Sequence, residues 1–270
     1  MHDVDAIRDI EFAVTEQGPL ALDLYRPATD RDRPVPVVVY FHGGGWAVGD
    51  RTMGAADRLV PLAARGVAVA SASYRLTDAA TYPAQVDDAR AAVRWLRANG
   101  AEHGLATERI GAWGASAGGY LALMLGIAGE VPAVCEYFAV TDLLETTKAL
   151  AAAFPPPPFI DPALPPPQPS YEARLLGLER TSDNPEAAVA ASPLHLAGAA
   201  PAGGRYLLLH GDRDGLVHHQ ESVAMHEALV AHGIDSTLLL ISGANHEGPE
   251  FDRPEVLSAV AGFFLDALGG

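Results

Sequence analysis

Apolar, β-rich runs alternate with alanine-rich helical runs through most of this 270-residue chain, and that alternation restricts the fold more than any other feature. Val37 to Phe41 is a continuous apolar run of the kind that a sheet buries on both faces. A helical pattern from Ala55 to Ala64 leads to a strand pattern from Val67 to Ser73. Ala84 to Asn99 leads in the same way to Arg109 to Trp113, and Ala117 to Gly126 to Ala133 to Phe138. After an interruption the plan resumes with strand Tyr206 to His210, helix Gln220 to Ala231, strand Ser236 to Ile241 and helix Pro254 to Leu268. Strands separated by single helices run parallel through right-handed crossovers, which puts helices on both faces. Strand patterns near Ile10 to Thr15 and Leu20 to Tyr25 precede the series and predict an antiparallel pair. The expectation is one α/β domain over residues 1–270, with a mostly parallel sheet of eight strands.

The interruption runs from Asp142 to His195 and holds nine of the chain's 21 prolines between Pro155 and Pro169. That density rules out a regular helix or central strand there. Because strands of one pattern lie on both sides, residues 142–195 read as a small Pro-rich lid inserted over the sheet edge rather than as a linker. Phe154, Phe159 and Tyr171 are expected to form its apolar underside.

The formal charge of −16 gives a surface that repels phosphate backbones and anionic membranes, so nucleic acid is excluded as a partner class. The first residues, Met1 to Asp5, are charged where a signal peptide needs an apolar core, and no run approaches the roughly 18 apolar residues of a membrane span. A cytoplasmic chain without membrane contact is expected. Its single cysteine, Cys135, sits in an apolar run and reads as a buried structural thiol.

Chemistry enters at Gly114-Ala115-Ser116-Ala117-Gly118-Gly119, which joins a strand pattern to a helical one. So tight a turn leaves no room for large Cβ substituents at Gly114 and Gly118, and it sets the Ser116 hydroxyl at a helix N-terminus that favours developing negative charge. Taken alone, the motif is equally a Gly-rich turn with a capping serine. A second element, His42-Gly43-Gly44-Gly45-Trp46, follows the run Val37 to Phe41; its glycines leave backbone N–H groups bare, as an anion site requires. No Gly-Lys-Ser/Thr follows it, which argues against nucleotide binding.

A serine hydroxyl needs a base and an acid to orient that base. His210-Gly211-Asp212-Arg213-Asp214 follows one predicted strand and offers two carboxylates; Gly243-Ala244-Asn245-His246 follows the next. Ser116, Asp214 and His246 stand in the order serine, acid, histidine. Together with Tyr74-Arg75-Leu76 and Tyr82-Pro83-Ala84-Gln85, these motifs resemble the α/β-hydrolase esterases, nearest to hormone-sensitive-lipase-like carboxylesterases and small bacterial feruloyl- and acetylxylan-esterase-like hydrolases. The resemblance runs from about Leu22 to Leu268, apart from the Pro-rich insertion.

It implies a hydrolase of carboxylic esters with short-chain acyl, aryl or acetyl groups, acting through an acyl-enzyme and needing no cofactor and no metal. Ser116 corresponds to the nucleophile, His246 to the base, and Asp214 rather than Asp212 to the acid in the pattern His-Gly-x-x-Asp-x-x-Val. Backbone N–H groups of Gly44, Gly45 and Ala117 correspond to the oxyanion hole. The implied partner is a small ester molecule. An arylformamidase-like amidase and a non-catalytic binding member of the fold are the alternatives.

Two local features depart from the family. Leu76 is followed by Thr77-Asp78-Ala79, and His246 by Glu247 and Gly248 where an aromatic residue is common. Glu247 reads as a solvated loop carboxylate; placed near His246 instead, it would raise the histidine's pKa and move the activity profile to higher pH. His218, His219, Glu221, His226 and His232 lack metal-ligand spacing and read as a solvated helix face.

Overall fold

The computed structural model describes residues 1–28, 33–144, 148–164 and 166–269. Its strands are β1 (Val4–Thr15), β2 (Gly18–Pro27), β3 (Val35–Phe41), β4 (Ala68–Ala72), β5 (Leu105–Ala115), β6 (Ala133–Tyr137), β7 (Arg205–Gly211) and β8 (Asp235–Ile241). They form one 8-stranded sheet in the order β1-β2-β4-β3-β5-β6-β7-β8. The β1–β2 and β2–β4 pairs are antiparallel, and every other pair is parallel. Helices are α1 (Val60–Ala63), α2 (Ala84–Asn99), α3 (Ala117–Ile127), α4 (Lys148–Ala151), α5 (Tyr171–Leu176), α6 (Pro185–Ala191), α7 (Pro193–Leu196), α8 (Gln220–Ala231) and α9 (Pro254–Leu268).

Burial follows the period of two. Val37, Val39 and Phe41 of β3 join one core with the inner faces of α2, α3 and α8, while Val38 and Tyr40 join a second with α1 and α9. Helix α3 is buried on every side from Ala117 to Ile127, which a helix apolar all round requires. It therefore lies against the sheet as an inner strut, and the turn that starts it has little freedom to move.

Three elements differ from the sequence pattern. Strand β1 begins at Val4, not near Ile10, because Val4 to Ile7 pair with Pro27 to Leu24 while Asp5 to Ile7 stay exposed and show no apolar alternation. Strand β5 begins at Leu105, not Arg109, because Leu105 and Ala106 pair with Val35 and Pro36 ahead of a register shift, and the exposed Glu108 and Arg109 at that shift break the apolar pattern. The run Ala55 to Ala64 opens as a wide turn, with the Leu59 N–H reaching the Gly54 carbonyl at 3.0 Å, and only Val60–Ala63 is regular α-helix.

The predicted lid, residues 142–195, occupies the connection from β6 to β7; its residues 145–147 and 165 lie outside the described residues. Described residues from 152 to 170 form neither helix nor strand, as their prolines demand. Regular structure returns where caps appear. Ser170 accepts the Ala173 N–H at 3.2 Å and Gly177, at φ 70°, ends α5, while Asn184 accepts the Ala187 N–H at 3.1 Å ahead of Pro185 at the start of α6. This half is tied to the core through Tyr120 Oη donating to the Ala191 carbonyl at 2.9 Å and Ser192 Oγ accepting the Leu143 N–H at 2.8 Å. Among the described residues, no helix is long and apolar enough to cross a membrane.

Candidate active site

The loops after β3, β5, β7 and β8 leave the sheet at its carboxyl edge, where an open α/β sheet forms its crevice. Register aligns them: Phe41 pairs with Gly114 and Gly211 with Ile241, so the loops that follow these strands start from a common edge. Between β5 and α3 the backbone turns at Ser116, which holds φ 54°, a strained value for a residue with a side chain. A Cβ on Gly114 would lie 2.1 Å from the Gly118 carbonyl oxygen, and one on Gly118 would lie 2.0 Å from that of Phe41. Neither neighbour can yield, because both are backbone. The Ser116 N–H is held by the Tyr137 carbonyl at 2.8 Å, which fixes the turn against β6.

The loop after β3 packs on this turn. Gly44 and Gly45 hold φ 108° and 60°, and the Gly44 carbonyl accepts the Ala47 and Val48 N–H groups at 3.1 Å each. Trp46 is fully buried, edge-on to Tyr120 at 5.2 Å. His42 stacks on Tyr74 at 4.5 Å, and burial holds its imidazole below the ordinary histidine pKa, with the Gly43 hydrogen bond opposing. His42 is thus a scaffold residue. Among the described residues, the N–H groups of Gly44, Gly45 and Ala117 make no hydrogen bond within the protein, and all three residues border the same cavity as Ser116.

His246 lies between the other two predicted residues. Its Nε2 is 3.0 Å from Ser116 Oγ and its Nδ1 is 2.7 Å from Asp214 Oδ2. Asp214 is fully buried, and its Oδ1 accepts the N–H groups of Leu216 and Val217 at 2.8 and 2.9 Å. Burial pushes this carboxyl up, but the charge of His246 and hydrogen bonds from His210 and His246 bring it well below the usual carboxylate range. Asp212, the competing carboxylate, points elsewhere and accepts the Gly243 N–H at 2.7 Å. The arrangement places a hydroxyl, an imidazole and a carboxylate in hydrogen-bonded series, with unpaired backbone donors beside the hydroxyl.

The cavity above them measures about 1200 Å³ and takes much of its wall from the insertion, including Leu144, Phe159, Ile160 and Tyr171. Phe159 lies 6.5 Å from the His246 ring, and Tyr171 covers Gly45 so closely that a Cβ there would fall 2.6 Å from its ring. Phe154 does not share this wall, contrary to the sequence expectation; it stacks on His218 at 5.8 Å.

Two further expectations need correcting. Glu247 is only 28% exposed and pairs with Arg58 at 3.1 Å, a fully buried guanidinium that also bonds Asp252 at 2.6 Å and lies over the Tyr137 ring. Its charge is compensated, so it is not the solvated loop group that its position after His246 predicts. Glu221 and His218 are not on a solvated face either: His218 is buried against the Phe154 ring, and the buried Glu221 carboxylate accepts Thr141 N–H at 3.0 Å, Thr141 Oγ1–H at 2.6 Å and Asp142 N–H at 2.9 Å. Among the described residues no group of histidine, cysteine and carboxylate side chains is placed to hold a metal ion.

Sequence reasoning missed several supporting residues. Asn245 Oδ1 accepts the Gly215 N–H at 3.0 Å and the His246 N–H at 2.7 Å, while its Nδ2 donates to the Pro155 carbonyl at 2.9 Å. One amide thereby joins the acid loop, the histidine loop and the insertion. Arg58 sits in a helical pattern 189 positions from Glu247, and no local signal foretells that pairing. His210 was visible only as part of a motif, although it stands 3.2 Å from Asp214.

Residues 22–229 match the BD-FAE family model. The carboxylesterase NlhH of Mycobacterium tuberculosis is 43% identical over 110 residues, which are 40% of this chain and 34% of that protein. The chain thus spans about a third of the length of this curated relative. A truncated carbohydrate esterase from gut microbiota superposes with a TM-score of 0.83 at 22% identity, covering 98% of this chain and 97% of that one. An esterase of Pyrobaculum calidifontis gives 0.79 at 23% identity over 100% of this chain and 87% of that one. The architecture is the α/β-hydrolase fold, with a mostly parallel sheet and helices on both faces.

Proposed function

The chain belongs to the BD-FAE family, and from that premise we propose that it is a serine hydrolase that cleaves carboxylic esters through a covalent acyl-enzyme. The hydrogen-bonded series Ser116 Oγ–His246 Nε2 at 3.0 Å and His246 Nδ1–Asp214 Oδ2 at 2.7 Å carries this reading. Ser116 Oγ attacks the ester carbonyl while His246 Nε2 takes its proton. Asp214 holds Nδ1–H, so that Nε2 is the basic nitrogen, and steadies the imidazolium that forms. The carbonyl oxygen becomes an oxyanion beside the N–H groups of Gly44, Gly45 and Ala117, each of which contributes about 3 kcal/mol in sites of this kind. The alcohol leaves with the proton from His246, and water, deprotonated by the same imidazole, releases the acid.

Residues 142–195 act as the lid in this reading. The apolar wall formed by Leu144, Phe159, Ile160 and Tyr171 favours an apolar acyl or aryl group next to Ser116. The substrates proposed are short-chain acyl, aryl or acetyl esters.

The test compares wild-type protein and Ser116→Ala on p-nitrophenyl acetate and butyrate, on the matching anilides, and with a fluorophosphonate label. Wild type is expected to hydrolyse the esters faster than the anilides and to take the label, while Ser116→Ala does neither and remains folded. Undiminished ester turnover by Ser116→Ala overturns the assignment. Anilides turned over faster than esters would move the reading to an amidase, and a folded, unlabelled wild type to a binding protein.

A further inference from the structure

Behind Asp214 the hydrogen-bonded series continues into the core. His210, the first residue of the His-Gly-Asp-Arg-Asp motif, is fully buried and stands with Nε2 2.9 Å from the Val217 carbonyl and 3.2 Å from Asp214 Oδ2. Its Nδ1 is 2.7 Å from Ser222 Oγ on α8, and Ser222 Oγ is in turn 2.7 Å from Glu136 Oε1 at the end of β6. Glu136 is also fully buried, and its Oε2 accepts the Ala139 N–H at 2.8 Å.

Hydrogen-bond bookkeeping restricts where the protons sit. A carbonyl and a carboxylate only accept, so Nε2 of His210 must carry hydrogen. With Glu136 ionised, the single hydrogen of Ser222 goes to its carboxylate, which leaves a Ser222 lone pair to accept from Nδ1–H. Both ring nitrogens then donate. Charge leads to the same state: two fully buried carboxylates, Asp214 and Glu136, lie on either side of the ring, and among the described residues no arginine or lysine pairs with either. Buried carboxylates without a compensating charge are costly; Asp214 also meets His246, whereas His210 is the side chain within reach of Asp214 and, through Ser222, of Glu136.

We infer that His210 is held as an imidazolium between Asp214 and Glu136, linked to the latter through Ser222, and that it is a positioning residue that tempers how strongly Asp214 attracts a proton onto His246. The inference rests on the assignment of Ser116, His246 and Asp214 made above. Burial pulls the His210 pKa down, but the hydrogen bond and charge of Asp214 and the charge of Glu136 outweigh it, and the group lies above the ordinary histidine value. Burial raises Glu136, with the charge of His210 and the Ser222 hydrogen bond opposing. The other titratable groups around the ring are Glu221 on α8, which faces Glu136, and His218 and His219 ahead of α8, both held low by burial and by the charge of neighbouring histidines, His210 included.

The consequence for catalysis has a definite sign. A positive charge on the far side of Asp214 weakens the attraction of Asp214 for a proton on its histidine partner, which sets the acidic limb of kcat/KM at lower pH than Asp214 alone would. Replacing Glu136 by glutamine removes the partner that favours the His210 proton. With His210 neutral, Asp214 acts on His246 undiluted, and the acidic limb of kcat/KM moves to higher pH.

The test uses nitrogen-15 spectra of the histidine side chains together with pH profiles of kcat/KM. In wild type at pH 7, and equally in Ser116→Ala, both His210 nitrogens are expected in the protonated range. That readout does not depend on turnover, so it separates a failure here from a failure of the catalytic assignment. In Glu136→Gln, His210 is expected to lose one proton by pH 7, and the acidic limb of kcat/KM to move up by roughly half a unit to one unit, with the alkaline plateau kept. At a pH below that limb, kcat/KM falls by about three- to tenfold. Ser222→Ala, which cuts the link while keeping both charged residues, is expected to shift the limb in the same direction by less. A neutral His210 in the wild-type spectrum overturns the inference, and that spectrum decides it even if Glu136→Gln does not fold. An unmoved limb in a folded Glu136→Gln with a neutral His210 overturns the coupling to His246.

Discussion

The strand-end loops and the insertion between β6 and β7 face each other across one cavity, and they are built on opposite principles. At the strand ends the backbone itself leaves no space: the Cβ positions of Gly114 and Gly118 fall 2.1 and 2.0 Å from carbonyl oxygens. Ser116 is tied to the main chain at the end of β6, and Asp214 to the N–H groups of its own loop. Across the cavity, described residues 152–170 form no regular element and line the site with side chains such as Phe159 and Ile160, joined to the strand-end loops by the Asn245 bond to the Pro155 carbonyl. The difference separates two jobs. Groups that must meet within hydrogen-bond distance sit where packing permits one geometry, while the wall that shapes the substrate is assembled from side chains that can be exchanged.

Substitutions on the two sides should therefore differ in kind as well as size. Asp214→Asn keeps the shape of the acid loop but offers His246 the wrong hydrogen-bonding partner, and a kcat loss on the order of ten-thousand-fold is expected on p-nitrophenyl butyrate, with KM little changed. A loss below about tenfold would mean that the strand-end series is not the machinery. Gly118→Ala drives a methyl into the Phe41 carbonyl and is expected to lower the unfolding free energy by about 2–3 kcal/mol in urea titration, with activity falling alongside. An unchanged midpoint would show that the turn yields where its geometry says it cannot. Phe159→Ala, on the insertion, has the smallest expected effect: KM for aryl esters rises about fivefold, near 1 kcal/mol of lost apolar contact, with kcat and stability close to wild type. A collapse of kcat with KM unchanged would erase the contrast and make the insertion part of the chemistry.

Much of this could be read from the chain. The alternation of apolar runs anticipated all eight strands, and α2, α8 and α9 begin and end where their patterns do. Ser116, Asp214 and His246 stood out because each follows a strand pattern in a motif of limited composition. Errors came where local pattern and tertiary partner disagree. Glu247 looks like any loop carboxylate until Arg58 arrives from 189 positions away, and Glu221 looks like a surface helix residue until Thr141 and Asp142 place their donors on it. Strand β5 lost its first residues from view because Glu108 and Arg109 are exposed at a register shift.

Local backbone rules and hydrophobic periodicity act over a few residues, so the sheet, its crossovers and the serine turn were present in the order of amino acids alone. Charge compensation acts through space and leaves no periodic trace. What neutralises Glu247, and how His210 comes to lie between Asp214 and Glu136, became visible only once the segment before α1, β6, α8 and the loops after β7 and β8 were packed together. A buried charge must find its partner wherever the fold brings one, and that partner is a property of the assembled core.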